Sequence, residues 1–277
     1  MSRHFSAILL LDQHWKLNVD AIATALRTLY PGIGEIDPVP GQAEDEDAGV
    51  LIVDGATVVL QSHPAPVPQE QLNAPLRTLR AGGAEEAVAR HTAHITISAG
   101  GALPGLEGAE AYAAVVHFVA AAALSVTPSS AVLWKQGWAL TRAETFATAA
   151  NMLLQGKMPV GTWVSFATVV PTGLRPEQAL GMVTYGMRPF IGRELELAPR
   201  PADAKSAFRV LNATCRVLLD RGLQISDGMV LDTTESGVRL TVREKTYWLR
   251  RDQSAYVLVT DDAIVDPASL RARKLSA

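Results

Sequence analysis

Side chains that could recognise an anion are concentrated in residues 182–197, MVTYGMRPFIGRELEL. Guanidinium groups bind carboxylates and phosphates through paired hydrogen bonds, and a nearby carboxylate can act as a general base. The stretch therefore predicts a small binding site, in which two arginines clamp an anion and one of two glutamates serves as the base. The candidate binding residues are Tyr185, Arg188, Arg193, Glu194 and Glu196.

The same residues also have a purely structural interpretation. Glu194 and Glu196 alternate along an extended segment, so they could both point outward from an edge strand and pair with neighbouring arginines. Gly186 and Gly192 would then serve the backbone at turns. The sequence leaves both interpretations open.

Other reactive residue types form no recognisable catalytic or metal-binding pattern. His91 and His94 straddle the start of a predicted strand, where side chains three apart point to opposite faces, and no Cys-x-x-Cys or His-Glu-x-x-His accompanies them. Cys215 lies on the apolar face of a predicted helix, which is not the electropositive setting of a catalytic thiol. The acidic loop at residues 44–47 lacks the ligand alternation and the glycine of a calcium-binding loop. We therefore expect no catalytic residue, no metal and no cofactor.

Composition limits the class of protein. The chain has 277 residues, of which 48% are hydrophobic and 19% are charged, so it can bury a large core. A net charge of -3 argues against a nucleic-acid partner, since such proteins usually carry a basic face. A single cysteine excludes an internal disulfide and fits a reducing cytoplasm. The alanine-rich segment 109–126 is about as long as the shortest membrane-spanning helices, but its Glu110 and His117 favour a buried helix. We expect a cytoplasmic protein with no membrane partner.

The elements of the first half predict a helix-covered antiparallel sheet. Asp54-Gly55 stands between two β-branched runs, which is the strongest short signal for a hairpin because both turn positions need a positive φ. The order of elements is strand, helix, strand, strand, helix, strand, as in the split βαβ, ferredoxin-like arrangement. The principal segments are a strand at 7–11, a helix ending near 29 and capped by Asn18, the hairpin, a helical region at 69–90 and a strand at 94–98.

The same order begins again at residue 131. A strand is predicted over 131–138, and Thr141 and Glu144 have the spacing of a capping box that opens a helix. Residues 7–29 and 131–153 therefore match element by element, which suggests an internal duplication. A strand over 161–170 and a long helix capped by Asp203 follow.

These patterns predict an α+β protein of two tandem ferredoxin-like (βαββαβ) halves, each with an antiparallel sheet covered by helices. The predicted boundaries are a first half at 1–105, a linking alanine-rich helix at 106–130 and a second half at 131–277.

Residues 185–196, YGMRPFIGRELE, resemble a bacterial family known as domain-of-unknown-function family 4261. In that family a strand ends in a tyrosine–glycine pair, and a glycine and Glu-Leu-Glu follow closely. The resemblance covers residues 162–242. The family has no assigned activity, so the resemblance implies a bacterial protein and no particular reaction.

Two functional hypotheses follow. The first is a non-enzymatic binding, adaptor or regulatory module, because no catalytic constellation is present and free sheet faces or the groove between the halves would be available to a partner. The second is an enzyme that acts on a small anionic substrate through the arginines and glutamates of residues 182–197. The expected partner is another protein or a small anionic ligand, and an oligomer is compatible with either hypothesis.

Overall fold

The computed structural model describes residues 3–39, 47–78, 84–101, 105–170, 175–201, 203–233, 238–246 and 253–260. Within these ranges the protein has the predicted α+β architecture, with one antiparallel and one mixed sheet. The chain divides into two compact units, which we call unit 1 (Met1–Trp163) and unit 2 (Val164–Ala277).

Unit 1 contains one antiparallel sheet, formed among its described residues by seven strands in the order β2-β3-β4-β5-β1-β6-β7. The strands are β1 (Arg3–Leu11), β2 (Ile36–Val39), β3 (Ala48–Val53), β4 (Ala56–His63), β5 (Ala93–Gly101), β6 (Ser129–Trp134) and β7 (Ala139–Arg142). The helices are α1 (Val19–Leu29), α2 (Gln69–Asn73), α3 (Glu85–Arg90), α4 (Gly105–Val126), α5 (Ala143–Leu154) and α6 (Val160–Trp163).

The tandem ferredoxin-like repeat is not confirmed, because the strand order differs from it. In a ferredoxin-like half, the first strand lies between the last strand and a hairpin strand of the same half, whereas β1 here lies between β5 and β6. The β6 strand belongs to the segment that the sequence assigned to the second half. The α4 helix returns the chain beside β1, and pairing there satisfies an edge of backbone groups that would otherwise be open. The structure divides into two compact units after Trp163, and the boundaries at residues 105 and 130 stay predictions.

The α4 helix forms the centre of unit 1. By length and composition its segment Gly108–Val126 could cross a membrane, but 56% of that apolar window is buried within the protein. Ala109, Ala113, Val116 and Ala120 follow one another at helical spacing and are fully buried. The helix contacts β1, β5, α1 and α5. The predicted buried helix is thus observed.

Local signals in unit 1 have mixed outcomes. The Asn18 side chain caps α1 by accepting a hydrogen bond from the Ala21 N–H at 2.8 Å, as predicted. Asp54 and Gly55 have φ values of 49° and 75° and join β3 to β4 in the predicted hairpin. The prediction of a capping box is wrong, because α5 begins at Ala143 without a side-chain capping bond and Thr141 lies in β7.

The predicted strand over 131–138 is interrupted. The β6 strand ends at Trp134, and a 3-10 turn over Lys135–Gly137 leads to Trp138 in the left-handed conformation, with a φ of 48°. The turn lets β7 fold back and pair with β6, which continues the sheet. A regular strand would have ended the sheet at β6.

Unit 2 contains a mixed sheet, formed among its described residues by six strands in the order β11-β12-β13-β10-β9-β8. The elements are β8 (Ser165–Val169), β9 (Leu180–Tyr185), α7 (Arg188–Ile191), β10 (Glu194–Arg200), α8 (Ala204–Asp220), β11 (Val230–Thr233), β12 (Val238–Thr246) and β13 (Ser254–Thr260). Asp203 caps α8 as predicted, since its carboxylate accepts from the Ser206 N–H at 2.7 Å. The strand predicted over 161–170 begins only at Ser165. The β10 strand pairs in parallel with β13 and antiparallel with β9, so it is a central strand.

Candidate functional site

The predicted arginine–glutamate cluster contains a glutamate that binds the backbone of its own chain. Glu194 is the first residue of β10, and its carboxylate accepts hydrogen bonds from the Thr184 hydroxyl at 2.7 Å and from three backbone N–H groups. These N–H groups belong to Gly186, Met187 and Arg188, at 2.9, 3.0 and 3.2 Å. They lie at the start of α7, where N–H groups have no helical acceptor. Glu194 therefore closes the turn between β9 and β10.

The environment of Glu194 perturbs its acidity in two opposing ways. Burial raises the pKa of Glu194, and the hydrogen bonds from Gly186, Thr184, Met187 and Arg188 oppose this rise. A raised carboxyl pKa is one property of a general base. However, both carboxylate oxygens are already engaged by donors of the turn, so a substrate would have to displace these bonds.

The two arginines are directed to other strands. The Arg193 Nη1 atom lies 2.5 Å from the Glu244 Oε2 atom, and its guanidinium lies over the Tyr256 ring, 5.0 Å from the centroid. Such a contact with a ring face adds attraction to the ion pair. Arg188 is exposed, and its Nη1 donates to the Gln253 Oε1 at 2.7 Å. The arginines thus contact the β12–β13 side, whereas Glu194 binds the turn after β9.

Glu196 and Tyr185 both lie on strands of the unit 2 sheet. Glu196 is 2% exposed and lies in β10 opposite Val183. Tyr185 is partly buried and packs on the apolar cluster of Val169, Val183 and Ala255. The Arg188 backbone N–H donates to Glu194, whereas the guanidinium groups of Arg188 and Arg193 bind Gln253 and Glu244 and do not form the predicted clamp.

The remaining reactive side chains are also bound within the chain. His91 accepts from the Val67 N–H at 3.0 Å, and its other ring nitrogen lies 2.6 Å from the Val88 carbonyl. Burial lowers the pKa of His94, whose Nδ1 lies 2.7 Å from the Ala65 carbonyl oxygen. In the described ranges no group of three or more His, Cys, Asp or Glu side chains could hold a metal; residues 44–46 of the acidic loop lie outside these ranges.

Cys215 is not set up as a nucleophile. Its side chain is buried, and burial raises the pKa of the thiol well above its ordinary value, with the nearby Glu194 charge as a smaller cause. A nucleophilic cysteine needs the opposite shift and access to solvent. This agrees with the prediction that Cys215 is a core residue.

The sequence predicts free sheet faces, but it does not identify which residues form such a face in unit 1. Helices α1 and α4 cover one face of β1–β5, and α2 and α3 cover part of the other, where Ile8 and Leu10 join their apolar cluster. Among the residues that the structure describes, no helix covers the β2–β4 part of this second face. One row of residues in mutual register crosses this face from β2 to β1, and it ends at a buried serine: Val39, Val50, Val59, Ser98 and Ser6. We call this area the open sheet face.

The β2–β4 half of the open sheet face is apolar. Val39 and Val59 are each 39% exposed, and Ile52, which is two residues beyond Val50 on β3, is 37% exposed. Because alternate residues of a strand share a face, these side chains form one patch of β-branched residues. Exposed aliphatic side chains that are contiguous on adjacent strands often mark an interaction site.

The β4–β1 half is polar and concave. It holds a depression of about 500 Å³, whose lining includes His4, Thr57, Gln61 and Ser98. The hydroxyl of Ser6 lies 3.1 Å from the His4 Nε2 and 2.9 Å from the Ser98 hydroxyl, which forms a short hydrogen-bonded chain at its wall.

The Gln136 side chain fixes the end of β1 beside this depression. It donates to the His4 carbonyl at 2.8 Å and accepts from the Ser6 N–H at 2.9 Å. These bonds replace the strand pairing that β6 would have supplied had it continued past Trp134.

One sequence signal for the open sheet face was available. The β3 segment contains Val50-Leu51-Ile52-Val53, which is apolar at consecutive positions and so places apolar residues on both faces of the sheet. This pattern is normally explained by helices on both faces. Whether the second face is covered depends on the paths of α2 and α3, which no local pattern reveals.

Comparison with protein-family models, with curated proteins and with solved structures finds no match to this chain.

Proposed function

We propose that this protein is a non-enzymatic binding or adaptor module that docks a protein partner on the open sheet face of unit 1. The observation that supports this proposal is the patch on three adjacent strands in which Val39, Ile52 and Val59 are exposed and Val50 between them is partly buried. Leaving such side chains in water is unfavourable by roughly 25 cal/mol per Å² of apolar surface, which a partner would remove.

The surroundings of the patch fit a protein partner. Protein interfaces combine an apolar, charge-depleted centre with a polar rim. Around the patch stand uncharged hydrogen-bonding groups, among them Thr57, Gln61 and Ser98, and the charged Asp37 lies at the margin on β2. A partner could therefore cover the patch without burying an unpaired charge near its centre.

The proposal places this module in the cytoplasm of a bacterium. The resemblance of residues 185–196 to a bacterial family of unknown function supports the origin, and a single buried cysteine fits a reducing compartment. An ancestral duplication belongs to the same proposal, and its support is the predicted helical and strand periodicity of residues 7–29 and 131–153; the β7 strand between β6 and α5 has no counterpart between β1 and α1.

The alternative function, an enzyme acting on a small anionic substrate, has less support. It requires Arg188, Arg193 and a glutamate to reach one ligand. Arg193 instead pairs with Glu244, and the Glu194 carboxylate is bound by four donors of its own turn. Intramolecular partners of this kind are typical of residues that hold a turn or a sheet together.

Site-specific photocrosslinking in cells would test the proposed function. The photoreactive residue p-benzoylphenylalanine would replace Val59 at the centre of the face or, as a control, Leu154, which is 50% exposed at the end of α5. We expect discrete protein adducts from position 59 that position 154 does not give. Equal adduct patterns at the two positions would contradict docking on this face.

A further inference from the structure

We propose that the partner on the open sheet face is a second copy of this chain, packed face to face about a two-fold axis that runs along β3. This inference rests on the proposed function and identifies the occupant of the same surface. Two sheets can pack in this way when their facing side chains are largely apolar and uncharged, with the sheets about 10 Å apart.

Charge is the first argument. A surface that meets its own copy must avoid placing like charges opposite each other, since such pairs are destabilising. Among the described residues in register on this face, β3 presents Ala48, Val50 and Ile52, and β4 presents Thr57, Val59 and Gln61. None of these side chains carries a charge, so the centre of the face can meet itself without repulsion.

Register is the second argument, and it fixes the axis. A two-fold axis along β3 places Val50 opposite Val50 and sets β2 of one copy opposite β4 of the other. Val39 then faces Val59, because both lie in the row of Val50. Asp37 and Thr57 are likewise in one row, on either side of Ile52, so the Asp37 carboxylate faces a hydroxyl. Apolar residues meet apolar residues, and the one carboxylate meets a donor.

An axis along β4 would give a poorer match. It would place the Val50 of β3 opposite the Ser98 of β5, because these residues flank Val59 in the row. Each valine would then face a serine hydroxyl instead of an apolar side chain, so the contact would remove less apolar surface from water. The order of residues in the row therefore favours a two-fold axis along β3. With this axis, the depression between β4 and β1 lies at the side of the interface.

The size of the patch sets the expected strength. Three strands about 4.8 Å apart and a few residues long cover on the order of 300 Å² per copy. Stable interfaces bury roughly 800 Å² per partner, so the dimer should be weak and dependent on concentration. We expect it to be detectable by about 500 μM and to dissociate on dilution.

Cysteine crosslinking tests the axis directly. The one native cysteine, Cys215, is buried, so an introduced cysteine would be the reactive one. Treated with a short bis-maleimide, the Val50→Cys variant should give a covalent dimer because position 50 lies on the axis. Leu154→Cys, at an exposed position on α5, is the control and should not.

A mixing experiment tests the register. Val39→Cys and Val59→Cys should crosslink to each other when mixed, and each should give a much lower yield alone. If Val59→Cys alone gives the same yield of covalent dimer as the mixture of Val59→Cys and Val39→Cys, the axis along β3 is wrong. If none of the three variants gives more dimer than Leu154→Cys, the second copy is not the occupant.

Sedimentation equilibrium tests the dimer without any crosslinker. The wild-type protein should show an average mass greater than that of one chain, and this average mass should fall on dilution. The Val59→Lys variant should weaken the association by at least about tenfold, because it buries a charge at the centre of the interface. Leu154→Lys is the matched control. If the wild-type protein is still monomeric at about 500 μM, the inference of a second copy is wrong. Adducts from position 59 to another protein would then leave the proposed function standing.

Discussion

At the scale of single residues, Glu194 combines the attributes of a site residue with a structural task. It is a charged residue in a conspicuous motif, and burial raises its pKa. Its carboxylate nevertheless satisfies the N–H groups of Gly186, Met187 and Arg188, which α7 leaves without helical acceptors. The residue types of a motif indicate where chemistry is possible, and the partners of each atom decide whether it is available.

Glu194→Gln should destabilise unit 2. The substitution replaces one carboxylate oxygen by an NH₂ group, which cannot accept from the Met187 N–H or the equivalent donors. Hydrogen bonds to charged groups contribute about 1.5–3 kcal/mol each, so we expect a loss of about 2–3 kcal/mol in the free energy of unfolding. Urea denaturation would measure it, with Glu177→Gln, at an exposed position of the same unit, as the control. Equal unfolding midpoints for the two variants would contradict the structural role.

His117 is a titratable side chain buried in the core of unit 1. Its ring is fully buried and stacked on Phe146 at 4.0 Å; it accepts from the Trp163 Nε1–H at 3.1 Å, and its Nε2 lies 3.0 Å from the Phe146 carbonyl. Burial lowers the pKa of His117 to about 3. The ring is therefore neutral in the folded state, with one nitrogen as acceptor and the other as donor.

The free energy of unfolding should fall as the pH falls from 6.5 towards 3. In this interval the unfolded chain binds a proton at His117 and the folded chain does not, so acid favours unfolding. Between pH 7 and pH 4.5 this one group should remove about 2–3 kcal/mol, at about 1.4 kcal/mol per pH unit. Denaturant unfolding at both values for wild type and His117→Gln would measure it. Parallel losses in the two proteins would show that His117 is not the group responsible.

At the scale of elements, the docking of α1 on β3 depends on a glycine. A Cβ atom added at Gly49 would lie 2.2 Å from the Val19 Cγ2 atom, but 3.6 Å from the Val19 Cβ, which is an ordinary contact. Val19 is β-branched at the first turn of α1, so its side chain has little freedom to move away. The approach of the helix to the sheet is therefore set by this pair.

Gly49→Ala should destabilise the protein by about 1–3 kcal/mol, the usual cost of overpacking. Adding Val19→Ala removes the Cγ2 atom and should restore part of the loss, so the double variant should be more stable than the sum of the two single changes implies. Gly32→Ala is the control, because an added Cβ meets no atom within 4 Å there. Thermal or urea unfolding of the four proteins would measure the coupling. Strict additivity would mean that α1 does not contact β3 in this way.

The elements also show which features the sequence could predict. The caps by Asn18 and Asp203 and the hairpin at Asp54-Gly55 were predicted because each depends on residues within three positions of one another. The strand over 131–138 was predicted too long, since the turn before Trp138 forms only because β7 pairs with β6. Local signals are readable in sequence, but pairing between distant strands is not.

The same distinction applies to the two candidate sites. The residue types of the arginine–glutamate stretch were visible, but their roles depend on β12 and β13, which supply Glu244 and Tyr256 to Arg193. Free sheet faces were expected, but the residues of the open sheet face were not identified. Its existence follows from the register of five strands and from the limited extent of α2 and α3. Neither property belongs to any one segment.

At the scale of the whole molecule, β1 holds unit 1 together. It is central in the sheet and pairs with β5 along its full length and with β6 over residues 7–11. Trp134 of β6 stacks on Trp163 at 5.6 Å, and Trp163 in turn donates to His117 of α4. The chain up to residue 163 therefore supplies both neighbours of β1 and the aromatic core beside α4.

Two truncated chains test whether the folding unit ends at Trp163, as in the structure, or near residue 130, as the sequence suggested. A chain ending at Trp163 keeps β6, β7 and the aromatic residues around His117, so we expect it to unfold cooperatively, with a near-ultraviolet circular dichroism signal from its tryptophans. A chain ending at residue 130 loses the strand that pairs with β1 and exposes the apolar face of α4 that α5 contacts. We expect that shorter chain to lack a cooperative transition and to bind a hydrophobic dye. If both chains unfolded with the same cooperativity, β6 and β7 would be dispensable, and the first 130 residues would be the folding unit after all.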